Sequence, residues 1–312
     1  MTKSVAITMG DPLGIGPEII VKSLQRLPVQ ADTEFVVLGA YRFFAKLPQV
    51  ARVLKKNNIE FIDVSSPMKA PSRKQAGLLA MNALTAAVSL LKSAKVQALV
   101  TAPICKEHMA LAGFQFPGHT EYLCHEFAVK KFAMMLFHER LKVVLTTIHL
   151  PLKNIFTKIT AKNITEKLEL TTAALNGYFK IAAPKIAVCG LNPHAGENGI
   201  LGDEEKRIIA PAIAAFLKKN RQSRVAVIGP LSADSVFVDA LQGRFDAVLC
   251  HYHDQALIPI KTTGFGEGVN LTLGLPFPRT SPDHGTAFDI AGQGMANSQS
   301  MIAAITAARK ML

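Results

Sequence analysis

Short, apolar, β-branched runs alternate with longer segments of helical period along the whole chain. No other feature of the sequence constrains the fold as strongly. Residues 5–9, 35–38, 98–101, 143–146, 185–189, 224–228 and 247–250 read as buried strands. They are nearly continuous in apolar character rather than alternating, as strands covered on both faces must be. Between them, residues 77–91, 165–179, 204–219 and 298–312 read as helices. Strands and helices in alternation predict an α/β fold with a largely parallel sheet. The chain has 312 residues, 49% hydrophobic and 19% charged. That is enough apolar material for a large core and excludes general disorder. At roughly 100–200 residues per domain, the length fits two domains or one large α/β unit. No internal repeat, low-complexity tract or long linker interrupts it, so any division is a cleft in a continuous fold.

Many strand ends run into polar residues. Met9 leads into Gly-Asp-Pro, Thr101 into Ala-Pro, Ile148 into His149, Asn192 into Pro-His194 and Cys250 into His-Tyr-His253. In open α/β sheets, ligands bind beyond the carboxyl ends of strands, so one site built from several strand ends is expected. His149, His194 and His253 each follow a predicted strand. Their spacing excludes a local zinc finger but permits a site assembled in tertiary structure. Three imidazoles with an open fourth position suit a catalytic zinc-type ion. Each histidine taken alone is better explained as a hydrogen-bonded loop residue; three in equivalent positions bring the metal reading level with it.

The stretch GDPLGIGPE follows a strand and opens a helix. It fails the dinucleotide fingerprint, because Pro17 follows Gly16 and no acidic residue follows another strand at the expected distance. Pro17 and Glu18 also suit an ordinary helix start. Gly118-His119-Thr120-Glu121 is a glycine-led turn into a helix, with Thr120 read as its cap or as an anion donor. Residues 251–292 are rich in Gly, Pro, Arg, His, Asp and Asn, a poor core and a good binding loop. Within that stretch Lys261 and Arg279 suit phosphate or carboxylate, and Asp254 is placed to orient His253. No G-x-S-x-G, Walker A or H-E-x-x-H pattern occurs, which removes the common hydrolase, P-loop and metalloprotease readings.

The net charge of +12 invites a nucleic-acid reading. The basic residues are scattered in ones and twos without interleaved aromatics, so no nucleic-acid partner is expected. Cys105, Cys124, Cys189 and Cys250 lie far apart with no C-x-x-C pair, fitting reduced thiols. The apolar run at the N-terminus is too short for a signal peptide, and no stretch reaches the ~18 apolar residues of a membrane span. A cytoplasmic protein with no membrane partner is expected.

The segments GDPLGIGPE, GHTE, TTIHLPL, GLNPHAGE, ADS, YHDQALIPIK, VNLTLGLP and RTSPDHGTAFDIAGQG closely resemble the 4-hydroxythreonine-4-phosphate dehydrogenases, NAD-dependent enzymes of vitamin B6 synthesis. The matches run from Met9 to Gly294. HGTAFDIAGQGMAN is also similar to the adenosine-binding loop of isopropylmalate and isocitrate dehydrogenases. The resemblance implies their three-layer α/β/α fold, with two subdomains and the active site in the cleft between them. Residues 1–130 with 270–312 would form the cofactor side, and residues 131–269 the metal and dimer side. It further implies a homodimer with a site shared across the interface, His149 and His194 coming from one subunit and His253 from the other. These three histidines would hold a divalent metal; zinc or cobalt suits them, and magnesium is a poorer match. His119, Thr120, Lys261, Asn270 and Arg279 are the implied substrate contacts, and Asp234 and Asp254 support the site. His284, Gly285, Thr286 and Asp289 fall on the cofactor loop, for NAD or alternatively NADP. Three positions depart from the family pattern: Ser235 for Thr, Ala256 for Gly, and His251 for an apolar residue.

The implied reaction is oxidation of 4-phosphooxy-L-threonine with decarboxylation to 3-amino-2-oxopropyl phosphate, in pyridoxine 5'-phosphate biosynthesis. The alternative is a related dehydrogenase acting on D-threonate or D-erythronate 4-phosphate or on a dihydrodiol carboxylate.

Overall fold

The structure, a computed structural model, describes residues 2–28, 32–56, 58–65 and 72–312. Its strands are β1 (Lys3–Thr8), β2 (Thr33–Gly39), β3 (Ile59–Asp63), β4 (Ala98–Thr101), β5 (Ala133–His138), β6 (Leu141–Leu145), β7 (Lys185–Cys189), β8 (Ala226–Leu231), β9 (Ala247–Cys250), β10 (Val269–Leu273) and β11 (Arg279–Pro282). The fold is mixed α/β. It divides into two compact units: Met1–Lys130 with Leu275–Leu312, and Lys131–Gly274.

In the first unit the strands lie in the order β3-β2-β1-β4-β11, and every pair is parallel. β1 is central and its Val5, Ala6 and Ile7 are fully buried, which is why this run reads as continuously apolar. The helix Arg73–Lys92 starts at a capping box: Ser72 Oγ accepts the Gln75 N–H, and Gln75 Oε1 accepts the Ser72 N–H. Two orphan donors are satisfied reciprocally at that end. The helix Gly16–Arg26 begins with proline in its first turn. The helix Gln299–Lys310 buries Met301, Ala304, Ile305 and Ala308.

The second unit has the order β10-β5-β6-β9-β7-β8. β6, β9, β7 and β8 are parallel, with Leu249 of β9 in register with both Val144 and Val188. β10, β5 and β6 are joined antiparallel. Leu145, Val143, Ala187, Val248 and Cys250 form the centre of its core.

One expectation needs correction. Residues 251–292 are not one binding loop, since they contain the helix His253–Thr263 and the strands β10 and β11. Arg279, Thr280 and Ser281 of β11 are buried polar residues. Hydrogen bonding such as Thr280 Oγ1 to the Ala304 carbonyl makes burial possible without apolar side chains. The sheet is largely parallel, as the alternation predicts, and its antiparallel part is confined to β10, β5 and β6. β5 and β6 form a hairpin around Glu139-Arg140, a connection too short for a crossover.

Candidate active site

The second unit gathers its polar residues at the ends of three neighbouring strands. β6 and β9 finish side by side, with Leu145 opposite Cys250. The Thr146 N–H donates to the Cys250 carbonyl at 2.8 Å, and Thr147 Oγ1 donates to the His251 carbonyl at 2.7 Å. The segments beyond are thereby held together. They carry His149 and His253, whose ring centroids lie 5.6 Å apart. His253 opens the helix His253–Thr263, and its Nδ1 meets Asp254 Oδ1 at 2.6 Å. Engaging Nδ1 in this way leaves Nε2 as the free ligand position, the usual role of a carboxylate behind a liganding imidazole.

His251, two residues earlier, has another task. It is fully buried, its Nε2 lies 2.8 Å from the Cys189 carbonyl, and its backbone N–H donates to Gln255 Oε1. Gln255 in turn donates to the Gly190 carbonyl at 2.8 Å. Burial holds the His251 imidazole down at about 4, partly offset by the bond to Cys189 and the charge of Glu205. His251 is a neutral brace between the ends of β9 and β7.

Beyond β7 the chain enters a left-handed turn. His194, Ala195, Gly196, Glu197 and Asn198 all have positive φ, with φ 51° and ψ 33° at His194. Glu205 secures this turn. Its carboxylate accepts the N–H groups of Leu191 and Asn192 at 2.7 Å and the Asn192 amide at 2.9 Å. Burial pushes this carboxyl up, but the donors of Asn192 and Leu191 outweigh it and hold the group below its ordinary value. The turn presents His194 as an exposed side chain, with Nδ1 4.0 Å from Asp234 Oδ2. Asp234 is itself held low, chiefly by the Ser232 hydroxyl and then by the proximity of His194.

One chain therefore brings His149 and His253 together, a different pairing from His149 with His194. Among the described residues, these three histidines are not gathered within 4.8 Å of one another. Lys261 sits exposed in the last turn of the helix His253–Thr263, and Asn270 lies on β10 with a buried Oδ1 that has no hydrogen-bond partner.

The first unit holds the remaining candidates. The helix His119–Glu126 starts after Gly118, whose extended backbone occupies the cap position, and no side chain caps it. Thr120 is therefore inside the first turn and is not the cap. Burial, followed by the positive charge of Arg279, keeps the His119 imidazole well below its usual range, hence neutral. Arg279 is 3% exposed and donates to Thr101 Oγ1 at 2.6 Å. Burial lowers its guanidinium to about 10, with Glu121 working the other way, so it remains cationic at neutral pH. In the segment after β11, His284 Nδ1 lies 3.0 Å from the Gly285 carbonyl, and its Nε2 is buried without a partner. Thr286 accepts the Ile15 N–H at 2.9 Å, and a Cβ at Gly14 would collide with Thr286. Gly14 of GDPLGIGPE thus allows close packing on this segment, while Gly10 and Gly16 do the same against Ala102 and its neighbours.

Comparison with known proteins adds the decisive observation. The family model for the pyridoxal phosphate biosynthetic protein PdxA matches residues 20–308. The chain belongs to the PdxA family. It is 43% identical to the 4-hydroxythreonine-4-phosphate dehydrogenase of Desulfosudis oleivorans, over 96% of this chain and 94% of that protein. It is 40% identical to the D-threonate 4-phosphate dehydrogenase of Salmonella typhimurium, over 99% of both. The crystal structure of a 4-hydroxythreonine-4-phosphate dehydrogenase from Klebsiella pneumoniae superposes with a TM-score of 0.86 at 39% identity, covering 100% of this chain and 98% of that one. PdxA members are thus oxidoreductases. A β-decarboxylating dehydrogenase of Thermococcus kodakarensis shares the fold alone, at TM-score 0.50 and 15% identity over 96% of this chain and 81% of that one.

Two residues that brace the site were given no role by the sequence reading. Glu205 reaches Leu191 and Asn192, and Gln255 reaches Gly190, through contacts between residues far apart in sequence. The local signals were the acidic pair Glu204-Glu205 at the start of a helix and the place of Gln255 in YHDQALIPIK.

Proposed function

We propose that this chain is a 4-hydroxythreonine-4-phosphate dehydrogenase. It oxidises the secondary alcohol of 4-phosphooxy-L-threonine with NAD, loses the neighbouring carboxylate as carbon dioxide, and yields 3-amino-2-oxopropyl phosphate. The full-length match to curated relatives of that name carries the reading. The residues fit the groups it requires. His149, His194 and His253 offer three imidazoles, two of them facing carboxylates at Nδ1, a donor set suited to zinc or cobalt more than magnesium. The orphaned Nε2 of His284 and the open space at Gly285 suit a nicotinamide nucleotide on the segment 284–289, with Thr286 and Asp289 beside it.

A bound divalent ion supplies Lewis acidity at the substrate oxygen, worth several kcal/mol in such sites, and NAD supplies the hydride acceptor. The protein does the rest by position and charge. Asp254 holds the ring of His253, and Asp234 places a carboxylate near His194. Arg279 and Lys261 are cations for phosphate and carboxylate. Neutral His119, with Thr120 beside it, offers hydrogen bonds without adding charge, and Asn270 Oδ1 accepts one. Holding the reacting carbon against the acceptor is itself a large part of such catalysis.

The protein acts as a homodimer with a shared site, in the cytoplasm. No helix among the described residues is long and apolar enough to cross a membrane. The second reading is D-threonate 4-phosphate oxidation, favoured by the Salmonella typhimurium relative at 40% identity. NADH or NADPH formation with 4-phosphooxy-L-threonine, D-threonate 4-phosphate, D-erythronate 4-phosphate and a dihydrodiol carboxylate decides between them. Turnover is expected on 4-phosphooxy-L-threonine with NAD. Turnover confined to substrates without an amino group overturns this reading in favour of the second.

A further inference from the structure

The first unit contains another cluster of metal-type ligands, which the dehydrogenase reading does not use. β1 and β4 are adjacent, with Thr8 opposite Thr101, so the segments that follow them meet. Asp11 belongs to the first segment. Cys105 belongs to the second, just before the short helix Lys106–Leu111 that contains His108. The two segments are tied by the backbone, the Asp11 N–H donating to the Pro103 carbonyl at 2.8 Å. Gly10, at φ +70°, lies so close to that carbonyl that any side chain would overlap it.

Asp11 is fully buried. Its Oδ1 accepts the Leu13 N–H at 3.0 Å, and its Oδ2 lies 2.7 Å from His108 Nδ1. His108 is 5% exposed, with its ring 5.3 Å from that of Phe288 and its carbonyl packed against Gly77. One ligand atom each from Asp11, Cys105 and His108 lies within 4.8 Å of the others. Cys105 is also partly exposed, whereas Cys124, Cys189 and Cys250 are buried.

We propose that Asp11, Cys105 and His108 form a second cation site, distinct from the three histidines, for a thiophilic divalent ion of the zinc type. Sulfur, imidazole nitrogen and carboxylate oxygen are the zinc donor set, whereas magnesium and calcium prefer oxygen alone. Zinc bonds of about 2.0–2.3 Å place tetrahedral ligands roughly 3.3–3.7 Å apart. The carboxylate and imidazole, 2.7 Å apart, need to separate slightly to admit the ion, and the sulfur lies within 4.8 Å of both ligand atoms. Packing of both segments fixes the oxygen and nitrogen donors in advance. The exposed flank of Cys105 provides access and an open coordination position.

Cobalt(II) titration of the purified protein tests this directly, because only a thiolate ligand gives a sulfur-to-cobalt charge-transfer band in the near ultraviolet. The band is expected in the unaltered protein and in His194→Ala, and is expected to vanish in Cys105→Ser and His108→Ala. Zinc affinity of the site should fall at least about tenfold in these two variants. A second readout needs no variant: zinc should slow alkylation of Cys105 in the unaltered protein by about tenfold or more, as a thiolate held by metal is no longer a free nucleophile. No band, a band that survives Cys105→Ser, or alkylation indifferent to zinc overturns the proposal.

Discussion

His251 and His253 share one tripeptide, yet their surroundings send them to different work. The His251 side chain is enclosed between Thr146 and the Cys189 carbonyl, while His253 keeps part of its ring at the surface beside His149. No local pattern separates such residues, because the distinction depends on β7, which lies far away in sequence. The buried ring has a measurable consequence. Its folded-state value is about 4 and its unfolded value near 6.5. Between those values the unfolded chain binds the proton and the folded chain does not, so stability rises with pH. The full contribution, up to roughly 3 kcal/mol, is present above pH ~6.5 and is lost as pH falls toward about 4. Denaturant midpoints measured across that window, with chelator present to remove metal-linked protons, should show the loss. His251→Gln should flatten the slope; an unchanged slope would mean that this imidazole is not held neutral.

At the scale of elements, the strands that read as continuous apolar runs correspond to β1, β2, β4, β6, β7, β8 and β9; burial on both faces leaves that pattern in all but the edge strand β8. β10 and β11 were illegible because both carry polar residues within the fold, Thr280 of β11 being buried with its hydroxyl bonded to Ala304. The turn from Pro193 to Gly199 was illegible for a different reason. Non-glycine residues in the left-handed region cost roughly 1–2 kcal/mol each, and nothing in NPHAGENG advertises that four of them adopt it. The compensation comes from Glu205, whose carboxylate gathers three donors from Leu191 and Asn192. Glu205→Ala should leave those donors unsatisfied, lowering stability by about 2–4 kcal/mol. Glu205→Gln, which keeps the shape and one acceptor, should cost less. Because this turn aims His194, both variants should also weaken metal binding, by roughly 10- to 100-fold for a residue acting through a ligand. Calorimetric zinc titration with the folded variants reads this out. Lost stability with unchanged metal affinity would show the turn to be a structural feature only.

For the whole molecule, the net charge of +12 says little, since its lysines and arginines are dispersed and only Lys261 and Arg279 are assigned to anionic groups. The placement of the histidines says more. A single chain joins His149 to His253 and holds His194 against Asp234, without gathering the three within 4.8 Å. In a homodimer with a shared site, His194 and His253 of one chain would serve different sites. Mixing two inactive variants tests that arrangement. His194→Ala and His253→Ala homodimers each lack a ligand at both sites. In the mixed dimer, one site loses both ligands and the other keeps all three. Random reassortment makes half the dimers mixed, with one of two sites intact, so about a quarter of the unaltered activity should return. Sedimentation should show that dimers exist and exchange under the mixing conditions. If dimers exchange and no activity returns, all three ligands of each site come from one chain.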